Sequence, residues 1–251
     1  MNEFLAAVRF LTVVPVPGRG GMREEDLAGS VPCFPLVGLL LGGIAAAVAW
    51  AAALYAPPML AAVAIIVTLM ALSGCLHLDG LSDTADGLLS SRAPDRMLEI
   101  MKDSHVGAMG VIAIVGIVLV KFAALASVAP GLLWRTALLM PLAGRCAIVV
   151  HMALLPYVRP SGLGKVFCRR RARWSAAWAG AVFLAVAWGV LSWRGIAVAA
   201  ASLAVAAVFA VYLWRKIGGT TGDTFGAVCE LAETVPAIVM ALGPIAAGGE
   251  P

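Results

Sequence analysis

Residues 34–55 read FPLVGLLLGGIAAAVAWAAALY and contain no charged side chain. A helix crosses the apolar core of a bilayer with about 20 mostly apolar residues, so this stretch predicts a membrane-spanning helix. Gly38 and Gly42 lie four residues apart and therefore share one face of that helix. Small residues on one face let helix backbones approach closely in lipid. The stretch thus predicts a span that packs tightly against other helices.

The rest of the 251-residue chain has the same apolar character. Hydrophobic residues make up 62% of the chain and charged residues 13%, whereas soluble domains average about 45–50% and about 25%. Six further stretches predict spans, at residues 59–77, 106–128, 132–153, 175–192, 195–214 and 234–248. We therefore predict an all-α fold, a polytopic transmembrane helical bundle of about seven spans. Residues 1–251 would form a single integral membrane domain within the lipid bilayer.

The basic side chains are distributed unevenly between the connections of this predicted bundle. The long connections carry fourteen Lys and Arg residues, and the short connections carry one, Arg194. Because Lys and Arg are enriched in cytoplasmic loops, the N-terminus and every long connection are predicted to be cytoplasmic. Residues 1–17 are predicted to be interfacial or re-entrant, since Pro15 and Pro17 stop a helix there. The net charge of +4 reflects this topology and indicates no nucleic-acid partner.

A group of aspartates follows the second predicted span, where residues 77–87 read HLDGLSDTADG. Asp79, Asp83 and Asp86 are spaced i, i+4 and i+7, so they share one face of a helix. Three like charges on one face raise one another's pKa, a cost that a bound divalent cation removes. The alternative, a solvated acidic face, lacks basic partners among residues 75–90. Because all these ligands are oxygens, the group predicts a metal site for Mg²⁺ or Mn²⁺ rather than zinc.

Three neighbouring side chains are further candidates. Glu99 and Asp103 are again spaced i, i+4 and would complete a second metal site. The alternative is that they form ion pairs with Arg96 and Lys102. His77, two residues before the first aspartate, is a candidate catalytic base or phosphate contact. A histidine at a membrane edge that only makes a structural hydrogen bond is the alternative.

A second acidic stretch begins at a glycine-rich turn, where residues 218–226 read GGTTGDTFG. Clustered glycines let backbone N–H groups approach an anionic oxygen, and a following helix N-terminus favours phosphate. The predicted phosphate-binding residues are Gly219, Thr220 and Gly222. Asp223 and Glu230 are seven residues apart and face the same way, so they predict a second carboxylate pair. The alternative is that the turn only separates two helices.

Two basic residues are predicted to bind substrate. Arg145 lies inside the fourth predicted span, where a charge is costly, so it would pair with a carboxylate or with a substrate phosphate. Lys165 lies in the basic connection 159–173, beside Gly162 and Gly164, and would contact phosphate. That connection is alternatively only a topology determinant that contacts anionic lipid. Carboxylates, basic residues and a glycine-rich turn together predict metal-assisted phosphoryl transfer.

The same segments carry a resemblance to a known family. The string HLDGLSDTADG (residues 77–87) resembles the signature of the cobalamin synthases, the adenosylcobinamide-GDP ribazoletransferases. Further matching segments are FLTVVPVP (10–17), FPLVG (34–38), RMLEIMKDS (96–104) and GTTGDTFG (219–226). The resemblance implies an enzyme of the bacterial cytoplasmic (inner) membrane whose active site faces the cytoplasm.

What the resemblance implies about the reaction is specific. Adenosylcobinamide-GDP would react with α-ribazole or its 5′-phosphate, so that GMP leaves and adenosylcobalamin or its 5′-phosphate forms, late in cobalamin biosynthesis. A ribazole hydroxyl would attack the phosphorus that bears the aminopropanol arm. Asp79, Asp83, Asp86 and Asp103 would hold Mg²⁺ against the diphosphate. Asp223 and Glu230 would complete the metal site or accept the hydroxyl proton.

Two other hypotheses stay open at this stage. The segment Asp83-x-x-Asp86-Gly87 is also similar to the CDP-alcohol phosphotransferases, but Arg92 stands one place late and Glu99-x-x-x-Asp103 replaces a second aspartate pair. A cation transporter would use the acidic cluster as its ion site. Transporter sites lie near the bilayer midplane between repeats, whereas these acids fall at span ends and no internal repeat is visible. The sequence leaves the oligomeric state open, including a homo-oligomer.

Overall fold

The computed structural model describes residues 2–16, 24–168 and 172–242. Within these ranges the chain is all-helical apart from connections and one isolated bridge between Tyr157 and Thr220. The helices are α1 (Glu3–Leu11), α2 (Glu24–Ser30), α3 (Phe34–Tyr55), α4 (Pro58–Ser73), α5 (Leu76–Leu88), α6 (Pro94–Ile100), α7 (Ala108–Ser127), α8 (Pro130–Leu154), α9 (Leu163–Phe167), α10 (Ala172–Leu191), α11 (Trp193–Ile217) and α12 (Gly222–Ala241). The prediction of an all-α fold is confirmed.

Six helices of the described part are long and apolar enough to cross a membrane, namely α3 (with α2 before it), α7, α8, α10, α11 and α12. The helices α4 and α5 pass the same test only as a pair that bends by 89°. The prediction of about seven spans is thereby confirmed. With 16 residues, α4 rises about 24 Å, most of the apolar thickness of a bilayer. We therefore treat α4 as the crossing element and α5 as a helix that lies across the end of the bundle.

The bend between α4 and α5 arises from two residues in left-handed conformations. Gly74 ends α4 with φ 58° and donates its N–H to the carbonyls of Ala71 and Met70. Cys75 also has φ 58°, and its N–H donates to Met70 O. A glycine in this conformation is a common helix terminator, because it lacks the Cβ that would clash there. The bend turns the aspartate-bearing helix away from the direction of α4.

The centre of the bundle is formed by α3, α8 and α12. In the apolar 18-residue stretches of α8 and α12, 78% of the residues are buried, whereas in that of α7 only 22% are buried. A Cβ added at Gly38 would lie 2.8 Å from Leu142 Cα, so α3 packs with its backbone directly against α8. This close approach is the reason for the small residues of residues 34–55.

The predicted boundaries of the last span, residues 234–248, are wrong. The helix α12 begins at Gly222, so Glu230 and Glu233 belong to an apolar span rather than to a loop before it. The physical reason is that basic side chains of α7 and α8 neutralise both glutamates inside the bundle. Residues 243–248 of that prediction lie outside the described residues, as do Pro17, the basic residues Arg19 and Arg23, and residues 169–171.

One end of the bundle, which we call the site face, carries most of the candidate residues. It is the end at which α3, α7 and α12 begin and α4, α8 and α11 end. The helix α5 packs there against α7 and α12. The connection after α8 runs beside the connection after α11, since Val158 N donates to Thr220 O and Thr220 N donates to Pro156 O.

Candidate active site

A cavity of about 460 Å³ lies at the site face. Its walls come from α5, the start of α12, the connection after α8, and the helices α1, α3 and α9. The charged and polar lining residues are His77, Asp79, Lys102, Tyr157, Arg159, Ser161 and Asp223. The two acidic stretches, which are more than a hundred residues apart in the chain, therefore contribute to the same cavity through Asp79 and Asp223.

A glycine contact between α5 and α12 brings these two aspartates together. A Cβ added at Gly80 would lie 2.7 Å from Asp223 O, and one added at Gly226 would lie 2.9 Å from His77 O. Both distances are shorter than real Cβ contacts, so only glycine permits this crossing. Asp79, next to Gly80, and the two contacted residues His77 and Asp223 all line the cavity.

The aspartates of α5 and α12 are close enough to repel one another. Partial burial and the negative charges of Asp79, Asp223 and Asp86 raise the pKa of Asp83 to about 6, against the opposing effect of Arg159. Asp83 itself is half-buried next to the cavity rather than in its lining. The predicted stripe on α5 is thus a real concentration of negative charge at the site face.

Asp86 has a structural partner that the sequence did not indicate. Its Oδ2 accepts a hydrogen bond from Gly107 N and its Oδ1 accepts one from Gly110 N, both at 2.8 Å. These amides belong to the first turn of α7, whose donors otherwise lack partners within the helix. Asp86 therefore ties the N-terminus of α7 to α5. Its predicted role as a metal ligand stays a prediction.

Asp223 forms an ion pair with Arg159, in which Nη2 and Oδ2 are 2.5 Å apart. Only 11% of the Arg159 side chain and 21% of the Asp223 side chain are exposed, so the pair is largely shielded from water. Thr221 caps α12 by accepting a hydrogen bond from Thr224 N, which fixes the first turn on which Asp223 lies. The cavity thus holds one ordered guanidinium group beside its carboxylates.

The glycine-rich turn has a more structural role than predicted. Gly219 lies so close to Pro156 O that no side chain would fit, and Thr220 is fully buried in the bridge to residues 156–158. Of the three predicted phosphate-binding residues, Gly222 lines the cavity and the other two do not. The turn therefore anchors the connection that carries Arg159.

Three predicted site residues are exposed and lie apart from the cavity lining. Glu99 pairs with Arg96 at 2.6 Å, which was the alternative for this residue. Asp103 pairs with His105 at 2.6 Å, and hydrogen bonds from His105 lower the pKa of Asp103. Lys165 donates a hydrogen bond to Pro160 O at 2.7 Å within its own connection. Their predicted roles in metal or phosphate binding stay predictions.

Four charged side chains of α7, α8 and α12 form a buried cluster inside the bundle. Lys121 Nζ lies 2.6 Å from Glu230 Oε2 and 2.8 Å from Glu233 Oε1, and Arg145 Nη1 lies 2.5 Å from Glu233 Oε2. All four side chains are at most 7% exposed. Arg145 and Glu230, predicted as substrate and metal contacts, are therefore engaged with partners inside the bundle rather than in the cavity.

His77 lies between the cavity and this buried cluster. It lines the cavity but is only 3% exposed. Burial, and then the charge of Arg145, lower the pKa of His77 well below its ordinary value. The neutral form of the imidazole is therefore favoured, which can accept or donate a hydrogen bond but is a weak base.

Comparison with known proteins identifies the family. The profile of the cobalamin-5-phosphate synthases matches residues 3–241. The chain belongs to this family.

Among curated relatives, a protein of Roseiflexus sp. (strain RS-1) is 40% identical over 237 residues, which cover 94% of this chain and 88% of the relative. Proteins of Acetivibrio thermocellus (37% identical, 93% and 95% covered) and Klebsiella pneumoniae (38%, 93% and 96%) match similarly. All three are named adenosylcobinamide-GDP ribazoletransferase. No solved structure matches the chain.

Membership of the cobalamin-5-phosphate synthase family confirms the resemblance that residues 77–87 and 219–226 carried. It does not assign roles to individual side chains. Within the described part of the chain, no three His, Cys, Asp or Glu side chains are arranged to hold a metal ion. Mg²⁺, however, is commonly bound by one or two carboxylates together with waters and substrate phosphates. Asp79 and Asp223 both line the cavity, and their predicted role as magnesium ligands stays a prediction.

Sequence reasoning missed two residues of this family member. Lys121 is the single charged residue inside the predicted span 106–128. Because a charge inside a span is costly and usually paired, the sequence could have indicated that Lys121 has an acidic partner. Arg159 is one of six basic residues in its predicted connection, and nothing in the sequence distinguished it from the others. Only the fold shows that it faces Asp223.

The close contact between Gly80 of α5 and the backbone of α12 gives a testable prediction. Gly80→Ala is expected to destabilise the protein by about 1–3 kcal/mol, because the new methyl group meets backbone atoms of α12 that cannot move aside. Turnover should also fall in the fraction of protein that stays folded, because a shift between α5 and α12 would separate Asp79 from Asp223 in the cavity. Thermal unfolding and turnover of the variant in lipid measure both effects. Gly116→Ala on α7, where the methyl group meets open space, is the control; equal loss in both variants would contradict the packing argument.

Proposed function

We propose that this protein is a Mg²⁺-dependent adenosylcobinamide-GDP ribazoletransferase of the bacterial cytoplasmic membrane, with the site face toward the cytoplasm. Family membership and the names of the relatives support the reaction. The observation that carries the proposal for this chain is the cavity in which Asp79 and Asp223 lie beside Arg159. Carboxylates and an ordered guanidinium group are the side chains that a diphosphate substrate and its metal require.

The ligands present fit magnesium by their chemistry. Mg²⁺ prefers oxygen ligands, and Asp79 and Asp223 would hold it, with Asp83 adding negative charge beside them. When bound, the ion would neutralise charge that develops on the phosphoryl oxygens. The repulsion that raises the pKa of Asp83 is also a cost that a cation would remove.

The chain's own residues would then position the reactants. Arg159 is held by Asp223, so its remaining N–H groups would donate to the phosphoryl oxygens of adenosylcobinamide-GDP. A hydroxyl of α-ribazole, or of its 5′-phosphate, would attack the phosphorus that bears the aminopropanol arm, and the bond to GMP would break. Asp223 and Asp83 are our candidates for accepting the hydroxyl proton, and Asp223 lines the cavity itself. His77, which also lines the cavity, would contact a phosphate, because its lowered pKa makes it a weak base.

A turnover assay tests this proposal. The purified protein in lipid would be incubated with Mg²⁺, adenosylcobinamide-GDP and α-ribazole 5′-phosphate, and GMP and corrinoid products would be followed by chromatography. We expect equal amounts of GMP and adenosylcobalamin 5′-phosphate, a loss of both with a chelator, and recovery with added Mg²⁺. No GMP release would refute the proposal. Release of CMP from a CDP-alcohol would instead support the phosphotransferase alternative, and cation flux without a nucleotide product would support a transporter.

A further inference from the structure

The cavity at the site face also has an apolar, aromatic wall. Phe10 of α1, Phe34 of α3 and Phe167 of α9 line this wall. Their ring centroids are 4.8 Å apart for Phe10 and Phe167, 5.7 Å for Phe34 and Phe167, and 6.2 Å for Phe10 and Phe34. We call these three residues the phenylalanine cluster. The same cavity is therefore lined by charged side chains and by aromatic rings.

The three rings of the phenylalanine cluster differ in how far they are buried. Phe34 and Phe167 are 0% and 1% exposed, so the surrounding core holds both rings in place. Phe10, in contrast, is only partly buried and comes from the short helix α1. Because Phe10 is the least enclosed ring of the cluster, it is the one best placed to contact a bound molecule.

The size of the cavity restricts which substrate enters it. Pockets of about 300–1,000 Å³ enclose most of the surface of a drug-sized ligand, and this cavity measures about 460 Å³. A nucleoside phosphate falls within that size class. A corrinoid nucleotide is several times larger, so the cavity is too small to enclose the whole donor.

On the basis of the proposed function, we infer that the phenylalanine cluster binds the flat apolar base of the acceptor nucleoside, α-ribazole or its 5′-phosphate. Aromatic rings favour offset or edge-on contact with another flat ring, which the tilted arrangement of the cluster permits. With the base against the phenylalanine cluster, the ribose hydroxyls would lie within the same cavity as Asp79 and Asp223. The corrin ring of the donor stays outside the cavity. Phe10 is thus a residue that determines specificity for the acceptor base.

A kinetic comparison of variants tests this inference. Phe10→Leu keeps an apolar side chain of similar size but removes the ring. We expect it to raise the KM for α-ribazole 5′-phosphate about three- to tenfold, which corresponds to the loss of one aromatic pair. The KM for adenosylcobinamide-GDP should stay within twofold of wild type. Phe10→Tyr keeps the ring and should leave both values near wild type.

Two further measurements make the result decisive. Phe183→Leu on α10 is the control, because Phe183 is fully buried but does not line the cavity. A riboside with a smaller, non-aromatic base should lose its disadvantage in Phe10→Leu, since the contact that favours the flat base is gone. An equal rise of both KM values, an effect on the donor alone, or an effect equal to that of Phe183→Leu would overturn the inference.

The outcome also separates this inference from the proposed function. Equilibrium binding of α-ribazole 5′-phosphate to the protein in lipid, measured by calorimetry without donor, needs no turnover. Wild-type binding that weakens in Phe10→Leu and persists in Phe10→Tyr would support the subsite even if no GMP is released. Turnover of the wild type with unchanged acceptor binding in Phe10→Leu would refute the subsite and leave the proposed reaction intact.

Discussion

Replacing Lys121 with methionine is expected to lower the free energy of unfolding by about 3–5 kcal/mol, the range seen when one partner of a buried ion pair is removed. Lys121 contacts both Glu230 and Glu233, and Arg145 contacts only Glu233 among these glutamates. Without Lys121, Glu230 would be left as an uncompensated carboxylate that is 7% exposed. Thermal or denaturant unfolding in detergent, followed by tryptophan fluorescence, measures the loss.

A second substitution tests whether the charges are coupled. Adding Glu230→Gln to Lys121→Met removes one charge of each sign and leaves the pair between Arg145 and Glu233 in place. We expect the double variant to be more stable than Lys121→Met alone, because removing both partners costs less than removing one. Lys216→Met, which loses a contact with the ring of Tyr212 outside this buried cluster, is the control. A double variant as unstable as the sum of both single variants would contradict the coupling.

The buried cluster of Lys121, Arg145, Glu230 and Glu233 also connects the helices that carry the candidate site. It joins α12, which carries Asp223, to α7, whose first turn Asp86 ties to α5. Glu233 further connects α12 to Arg145 on α8. Ion pairs therefore connect α12 to α7 and α8, and glycine contacts connect α12 to α5. A loss of Lys121 should thus reduce activity as well as stability.

The parts of the fold that were predicted correctly depend on local patterns. Long apolar stretches gave the spans, and the i, i+4, i+7 spacing gave the shared face of α5, because both depend only on residues near in sequence. The boundary of α12 depends instead on partners far along the chain. Glu230 is neutralised by a lysine 109 residues away, and without that knowledge the glutamate indicates a loop.

The same limit applies to the candidate site. Asp79 and Asp223 were both chosen from the sequence, and the structure brings them into one cavity. The partner of Asp223 could not be chosen, since Arg159 becomes distinctive only when residues 156–158 pair with Thr220. The phenylalanine cluster is also a product of the fold, because its rings come from three separate helices. Whether each predicted ligand binds metal stays a prediction that substitution decides.

Asp79→Asn and Asp83→Asn are each expected to lower kcat/KM for GMP release by about 10²-fold or more, the usual effect of removing one group that stabilises charge in a transition state. Neither change should destabilise the protein. Asp79 is exposed, and within the described part of the chain neither carboxylate has a hydrogen-bond or ion-pair partner whose loss would cost energy. Steady-state assays of the purified variants in lipid give the rate effect.

Because these carboxylates repel one another, replacing one of them should lower activity without lowering thermal stability. In the absence of Mg²⁺, Asp83→Asn removes one of four mutually repelling charges, so its thermal midpoint should equal or exceed that of wild type. Added Mg²⁺ should stabilise wild type, by about 2.7 kcal/mol at a hundredfold excess over its Kd, and should stabilise Asp79→Asn and Asp83→Asn much less. Asp95→Asn, on the exposed surface of α6, should respond to Mg²⁺ as wild type does. A Mg²⁺ response that is identical in all four proteins would show that the cation binds elsewhere, and full activity in Asp83→Asn would rule out its role in the reaction.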